Sequence, residues 1–255
     1  MGERIAIISD VHANLPALEA VLKDIESRRV KKIYCLGDLI GYGPNPREVI
    51  EVAMSRFQFV LKGNHDEAIG YKIPKRFKRI AAKAAFWTRR QLKPGRGPGM
   101  KDRRAWWNYL KRFPYTEELG PWVMAHGSLE SNLDYVHDKM GALEVFQGME
   151  QSRVCFLGHT HVPGIFLLGS GGDEVHYIEP EDGKRYAVSG RRAIINVGSV
   201  GQPRDGDPRA CWVLAREDGS FSFRRVPYDI DRVAEEIYRT RGLPSSLGER
   251  LYEGE

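Results

Sequence analysis

The chain has 255 residues, 42% hydrophobic and 29% charged, a balance that supports a sizeable core and excludes a disordered or collagen-like polymer. No run reaches the roughly 18 apolar residues of a membrane helix, and Met1 leads directly into RIAIIS (4–9) without a leader pattern, so a cytoplasmic protein with no membrane partner is expected. The net charge of +5 is unevenly placed: residues 72–112 hold fifteen Lys or Arg against Asp102 alone, a local +14 that leaves −9 for the rest.

In chain order, RIAIIS is a continuous β-branched run that stops at Asp10, as a buried strand does. Leu15, Leu18, Val21, Leu22 and Ile25 then recur at helical spacing, with Asn14 placed to cap and Pro16 tolerated in the first turn. KKIYCLGD predicts a second strand ending in Gly37-Asp38, PREVIEVAM a second helix, and FQFVLKGNHD a third strand ending in Gly63-Asn64-His65-Asp66. This βαβαβ start predicts parallel strands covered by helices. Residues 77–112 read as helical, interrupted at KPGRGPG. Short strands follow (WVMAHG, RVCFLGHTH, GIFLLG, EVHYIE, KRYAV, AIINVGS, CWVLAR, SFSFRRV), with turn signals at Ser170–Asp173 and Asp182-Gly183 that point to antiparallel hairpins. A last helix is expected over about 229–238, and the polar stretch after Arg241 reads as loose. Cys35, Cys155 and Cys211 are three, widely spaced and inside apolar runs; they read as buried, reduced thiols without a chemical role.

The polar residues at the strand ends carry the chemistry. Asp10 and His12 follow the first strand, Asp38 the second, Asn64, His65 and Asp66 the third, His126 follows WVMA, and His159 and His161 follow VCFLG. Ligands of open α/β sheets bind beyond the carboxyl ends of strands, so these groups are expected to converge. Carboxylate, imidazole and one amide suit manganese first, with iron, cobalt, nickel or zinc as other candidates, and no cysteine takes part. Asp10, His12, Asp38, Asn64, His126, His159 and His161 are seven candidate ligands, more than one first-row ion takes but right for two that share a carboxylate.

The blocks SDVHAN, GDLIGYG, GNHD, AHGS and GHTHVP, in this order, resemble the five signature motifs of the calcineurin-like metallophosphoesterase superfamily, and within it the short bacterial and archaeal phosphodiesterase-like branch. The resemblance runs from Arg4 to about Arg209. It implies a four-layer α-β-β-α sandwich of two mixed sheets (α/β, α+β); the length reads as one domain over 1–255, and the charge pattern as a basic helical insertion at about 72–112. It also implies two divalent cations: Asp10, His12, Asp38 and His161 on the first, and Asp38, Asn64, His126 and His159 on the second, with Asp38 as the bridge. The alternation in GHTH would then send its two imidazoles to different ions. His65, with Asp66 next in line, is expected to be catalytic, contacting the phosphate with Asn64 or protonating the leaving oxygen while metal-activated water attacks phosphorus.

Function is therefore expected as hydrolysis of a phosphodiester or phosphoanhydride bond, in a nucleotide or dinucleoside polyphosphate. Phosphomonoester or protein phosphatase activity, or a non-catalytic scaffold of the same fold, are the alternatives. Arg204 and Arg209, in the glycine-rich stretch 196–210, are candidate phosphate contacts, or else pair with Asp205 and Asp207. GYGPNP (41–46) is expected at the rim. Phe86, Trp87, Trp106 and Trp107 read as helix core rather than base-stacking platforms. The basic segment reads either as a solvated surface or as a lid that draws in a polyanion; long nucleic acid is the weaker partner, since charge alone gives non-specific attachment.

Overall fold

A computed structural model of the chain describes residues 3–75, 77–96, 99–151, 153–188 and 190–255. The chain opens with β1 (Arg4–Ile8), α1 (Leu15–Ser27), β2 (Lys32–Cys35), α2 (Pro46–Arg56), β3 (Phe59–Val60) and α3 (Asn64–Gly70). The basic segment gives α4 (Arg79–Leu92) and α5 (Met100–Lys111). There follow β4 (Thr116–Leu119), β5 (Trp122–Ala125), α6 (Lys139–Gly148), β6 (Val154–Leu157), β7 (Gly164–Leu168), β8 (Val175–Ile178), β9 (Arg185–Ala187) and β10 (Ala193–Asn196). The chain finishes with β11 (Ala210–Arg216), β12 (Ser220–Val226), α7 (Ile230–Arg239) and α8 (Ser246–Glu253).

Local chemistry explains the first elements. Asn14 accepts the Ala17 N–H at 3.1 Å and Pro16 occupies the first turn of α1, while Leu18, Val21, Leu22 and Ile25 line its buried face. Two six-stranded mixed sheets result, β3-β2-β1-β11-β12-β9 and β4-β5-β6-β10-β7-β8. Period-two alternation then builds the layers. Ile5 and Ile7 of β1 meet Met124, Phe156, Ile195 and Val213 between the sheets, while Ala6 and Ile8 face α1 and α2. In the second sheet, Trp122, Met124 and Phe156 point inward, and Val123, Ala125, Cys155 and Leu157 pack on α6. The order helices, sheet, sheet, helix is the expected four-layer sandwich. No helix among the described residues is long and apolar enough to cross a membrane.

Several expectations change. The third strand is only two residues long, because Asn64 already begins α3. The second half is mostly antiparallel, as expected, with consecutive pairs β4–β5, β7–β8 and β11–β12, but β5–β6 and β6–β10 pair in parallel. The tail after Arg241 is ordered as α8, anchored by Leu247 and Leu251, and α6 was not foreseen. Ala85, Leu92, Trp107 and Leu110 join the same core as α1 and α2, so α4 and α5 complete a helix layer. Trp106 and Trp107 pack there and Trp87 packs under α7 and α8, as expected of core aromatics; Phe86 instead stands 59% exposed. In the KPGRGPG break, Gly97 and Pro98 lie outside the described residues. All three cysteines are free and buried, and burial raises their thiol pKa values.

Candidate metal centre and active-site cavity

The parallel strands of both sheets run toward one edge. β1, β2 and β3 of the first sheet and β5 and β6 of the second each end one to four residues before a polar group aimed at that edge. Asp10, His12, Asp38, Asn64, His126, His159 and His161 are all buried there, between 0% and 8% exposed. Two clusters form, Asp10–His12–His161 and Asp38–His126–His159, each with ligand atoms within 4.8 Å of one another. Asp38 lies between them: its Oδ2 is 3.6 Å from His12 Nε2 and 3.5 Å from His126 Nε2. Asn64 Oδ1 approaches His126 Nε2 at 3.2 Å.

Close backbone contacts hold these side chains. Asp10, His12, Asp38, His159 and His161 all have positive φ, between 49° and 65°, a region disfavoured for side chains with a Cβ and concentrated at functional sites. The glycines beside them allow the loops to touch: a Cβ on Gly63 would lie 2.1 Å from the Asp38 nitrogen, and one on Gly158 would lie 2.7 Å from Asp10 Oδ2. GHTH therefore reaches two clusters for a reason other than strand alternation. β6 has ended at Leu157, and two left-handed residues, His159 and His161, turn the rings apart.

The donor set fits divalent cations. His126 Nδ1 donates to the Leu36 carbonyl at 3.0 Å and His161 Nδ1 to that of Gln202, which leaves Nε2 of each ring facing the site. Asp10 Oδ1 and His159 Nε2 are buried without a hydrogen-bond partner. Burial opposes charge on Asp10 and Asp38, yet neighbouring imidazoles, His161 and His126 foremost, hold both carboxyls below the usual range. Burial likewise opposes charge on His126, but Asp38 and Asp10 raise it to about 9. Burial and then His126 lower His159 to about 3. Two buried anions thus favour positive charge here, and the two His/Asp groups, Asp10–His12–His161 and Asp38–His126–His159, suggest a dinuclear divalent metal site.

The two expected catalytic residues separate. The His65 ring sits 4.4 Å from that of Tyr42 and 5.1 Å from that of Phe77, its main-chain N–H donates to Asp38 Oδ1 at 2.8 Å, and it faces the cavity over the metal ligands. Burial pulls its pKa down to about 4. Asp66 is buried away from that cavity. Its carboxylate accepts the N–H groups of Leu39, Ile40 and Gly63 at 3.2–3.3 Å, so it braces the loops that carry Asp38 and Asn64. Burial, then Asp38, raises its pKa to about 8. Asp66 is turned from the cavity because successive helical residues point about 100° apart, and these amides hold its carboxylate.

The arginines separate as well. Arg204 lines the cavity, its N–H donating to the His161 carbonyl at 3.3 Å and its guanidinium to Gln202 Oε1 at 2.7 Å. Arg209 does not; it pairs with Asp207 at 2.6 Å and Asp182 at 3.4 Å on the surface. Of the glycines of that stretch, Gly201 and Gly198 approach protein rather than ligand, since a Cβ on Gly201 would overlap the Val11 carbonyl and one on Gly198 would lie 3.0 Å from Cys211. The cavity measures ≈ 380 Å³ and also takes in Tyr42, Phe77, Lys78, Tyr135 and Arg250. Tyr42 was legible through the rim loop; Arg250, in a polar tail, carried no signal. Among the described residues of the basic segment, Phe77, Lys78 and Ala81 reach the cavity. Arg89 is held by the Ile69 carbonyl and the Trp107 ring, and Arg103 by main-chain carbonyls.

Comparison with known proteins agrees with this geometry. The calcineurin-like phosphoesterase superfamily domain matches residues 4–219. A Methanocaldococcus jannaschii protein is 34% identical over 98% of both chains. The crystal structure of a metallophosphoesterase from Sphaerobacter thermophilus is 38% identical over the full length of both chains, with a TM-score of 0.86. A hypothetical protein from Pyrococcus horikoshii, 20% identical over 99% of this chain and 98% of its own, has the same fold at a TM-score of 0.75. With two His/Asp clusters at its strand ends, the chain belongs to the calcineurin-like phosphoesterase superfamily and is a metal-dependent phosphoric ester hydrolase.

Proposed function

We propose that this enzyme hydrolyses a phosphodiester or phosphoanhydride bond in a nucleotide-like small molecule, a dinucleoside polyphosphate before a phosphoprotein. The observation that carries the reading is the cavity above the ligands. At ≈ 380 Å³ it is of small-molecule size, and it combines aromatic faces (Tyr42, Phe77, Tyr135) with cations (Lys78, Arg204) over one metal floor. An aromatic wall receives a base or other flat group, and guanidinium receives phosphate in bidentate fashion.

Asp10, His12, Asp38 and His161 would hold one ion and Asp38, Asn64, His126 and His159 the other, manganese being the first candidate. Bound there, the pair would supply Lewis-acid activation of water and neutralise charge on the phosphoryl oxygens. His65, wedged between Tyr42 and Phe77 on the cavity wall, would hydrogen-bond the phosphate or the leaving oxygen. Asp66 keeps Asp38 and Asn64 in register through the amides it binds. Arg204 orients the phosphate from the side opposite its own anchor on His161.

The test is a substrate panel assayed with Mn²⁺, Co²⁺, Ni²⁺ and Zn²⁺ in turn: diadenosine tetraphosphate, a cyclic nucleotide, bis(p-nitrophenyl) phosphate and a phosphoserine peptide. The nucleotides are expected to give the highest kcat/KM. A phosphopeptide that outperforms them would overturn the proposal.

A further inference from the structure

The last helix lies beyond the residues matched by the superfamily domain, 4–219, yet it helps form the cavity wall. Leu247 and Leu251, 1% and 4% exposed, pack with Val233 and Ile237 of α7 and Ala84 of α4, with Tyr42 against the same cluster. With those two leucines turned inward, the neighbouring Arg250 is carried to the cavity. The end of α8 is fastened to the loop that bears Arg204. The Gly206 N–H donates to the Gly254 carbonyl at 3.1 Å, and Gly254 has φ 67° with no room for a Cβ, which would sit 2.9 Å from the Asp207 backbone. Arg204 and Arg250 are thus presented by two segments that hold each other.

Neither arginine is paired with a carboxylate side chain among the described residues. Arg204 bonds Gln202 Oε1 and its Nε is buried without a partner; Arg250 Nε donates to the main-chain oxygen of Glu255, whose nearby negative charge offsets part of the influence of Arg204. Arg209, Arg225, Arg232 and Arg239 each have an acidic partner. Asp134, the carboxylate on the cavity wall, accepts from Ser128 at 2.8 Å. Partial burial, then the nearby charge of Arg204, lowers the pKa of Arg250. Two half-buried cations that line one cavity are stabilised when an anion enters between them.

We infer that Arg250 and Arg204 form a second anion site, which holds a phosphate adjacent to the one cleaved over the metals and makes α8 a specificity element. The inference rests on the phosphoesterase reading of the cavity. It accounts for a substrate with consecutive phosphates: one sits on the metal floor with His65, and the next sits against the arginines.

The experiment uses the Mn²⁺-saturated full chain and two probes, inorganic orthophosphate and pyrophosphate, titrated by calorimetry into wild type, Arg250→Gln and Arg250→Lys. Wild type is expected to prefer pyrophosphate. Arg250→Gln should shrink that preference by about 10- to 100-fold, the worth of one charge-assisted hydrogen bond, and Arg250→Lys should restore part of it. In steady state, KM for diadenosine tetraphosphate should rise by a similar factor relative to KM for bis(p-nitrophenyl) phosphate. Equal weakening of both anions, or of neither, overturns the inference. A substrate panel won by single-phosphate esters would defeat the nucleotide reading, while the comparison of the two inorganic anions would still decide the role of Arg250.

Discussion

The metal floor and the cationic wall of the same cavity are built by opposite means. The floor is made of side chains at most 8% exposed, five of them with positive φ, on loops that tolerate no Cβ where they touch. The wall is made of long side chains, Lys78, Arg204 and Arg250, drawn from three separate segments and left partly open to solvent. The floor is over-determined by backbone contacts, so it fixes the class of chemistry; the wall is held by a few contacts at the ends of flexible stems, so it can select among substrates. Floor and wall should accordingly respond differently to substitution.

The largest effect is expected at the floor. Asp38→Asn removes the carboxylate placed between both clusters, and elemental analysis should show metal falling from about two ions per chain toward one. Turnover should fall by more than about 10³-fold, beyond the worth of a single transition-state donor. Retention of both ions would separate Asp38 from the bridge. His65→Ala is expected to keep its metal and lose roughly 10²-fold in kcat, with a smaller loss for esters with good leaving groups. Loss of metal in proportion to activity would make His65 a ligand.

Gly63→Ala tests the tightness of the floor without replacing a functional side chain. A Cβ 2.1 Å from the Asp38 nitrogen and Oδ1 forces the loops apart and should cost about 1–3 kcal/mol in denaturant unfolding. An unchanged midpoint would show that the loops yield freely. Smallest of all is Arg209→Gln, which breaks a surface pair with Asp207 and Asp182. Stability should change by less than about 1 kcal/mol, with KM for nucleotide substrates unaltered. A tenfold rise in KM would return Arg209 to the wall.

Much of the floor was legible because strands buried on both faces read as apolar runs, and a carboxylate or imidazole straight after such a run has few bland uses. What the residues did not disclose was direction. Asp66 follows His65 immediately, but the start of α3 turns its carboxylate onto the amides of residues 39, 40 and 63. Arg209 and Arg204 share one glycine-rich stretch, and only the acids around Arg209 divide their roles. The two imidazoles of GHTH go to different clusters as expected, yet through left-handed backbone that no pattern of residue types displays. In the fold, α1 announced itself by its apolar spacing. The helix α8 has Leu247 and Leu251 as the large apolar side chains of its buried face, beside Gly248, within a polar tail, so neither it nor Arg250 could be read in advance. The excess of basic residues in 72–112 drew attention to charge, whereas the contribution of α4 and α5 is apolar: Ala85, Leu92, Trp107 and Leu110 close the core beneath them.

The left-handed ligands have a thermodynamic consequence. Asp10, His12, Asp38, His159 and His161 hold a backbone geometry that the unfolded chain abandons, and the ions they suit bind the folded chain alone. Metal occupancy and folding are therefore linked equilibria: free ion at a hundred times its Kd adds about 2.7 kcal/mol per site to the folded state. The melting temperature of this enzyme becomes a gauge of how fully it is loaded. Heating curves recorded across a titration of chelator would report the affinity of the centre with no substrate in the tube.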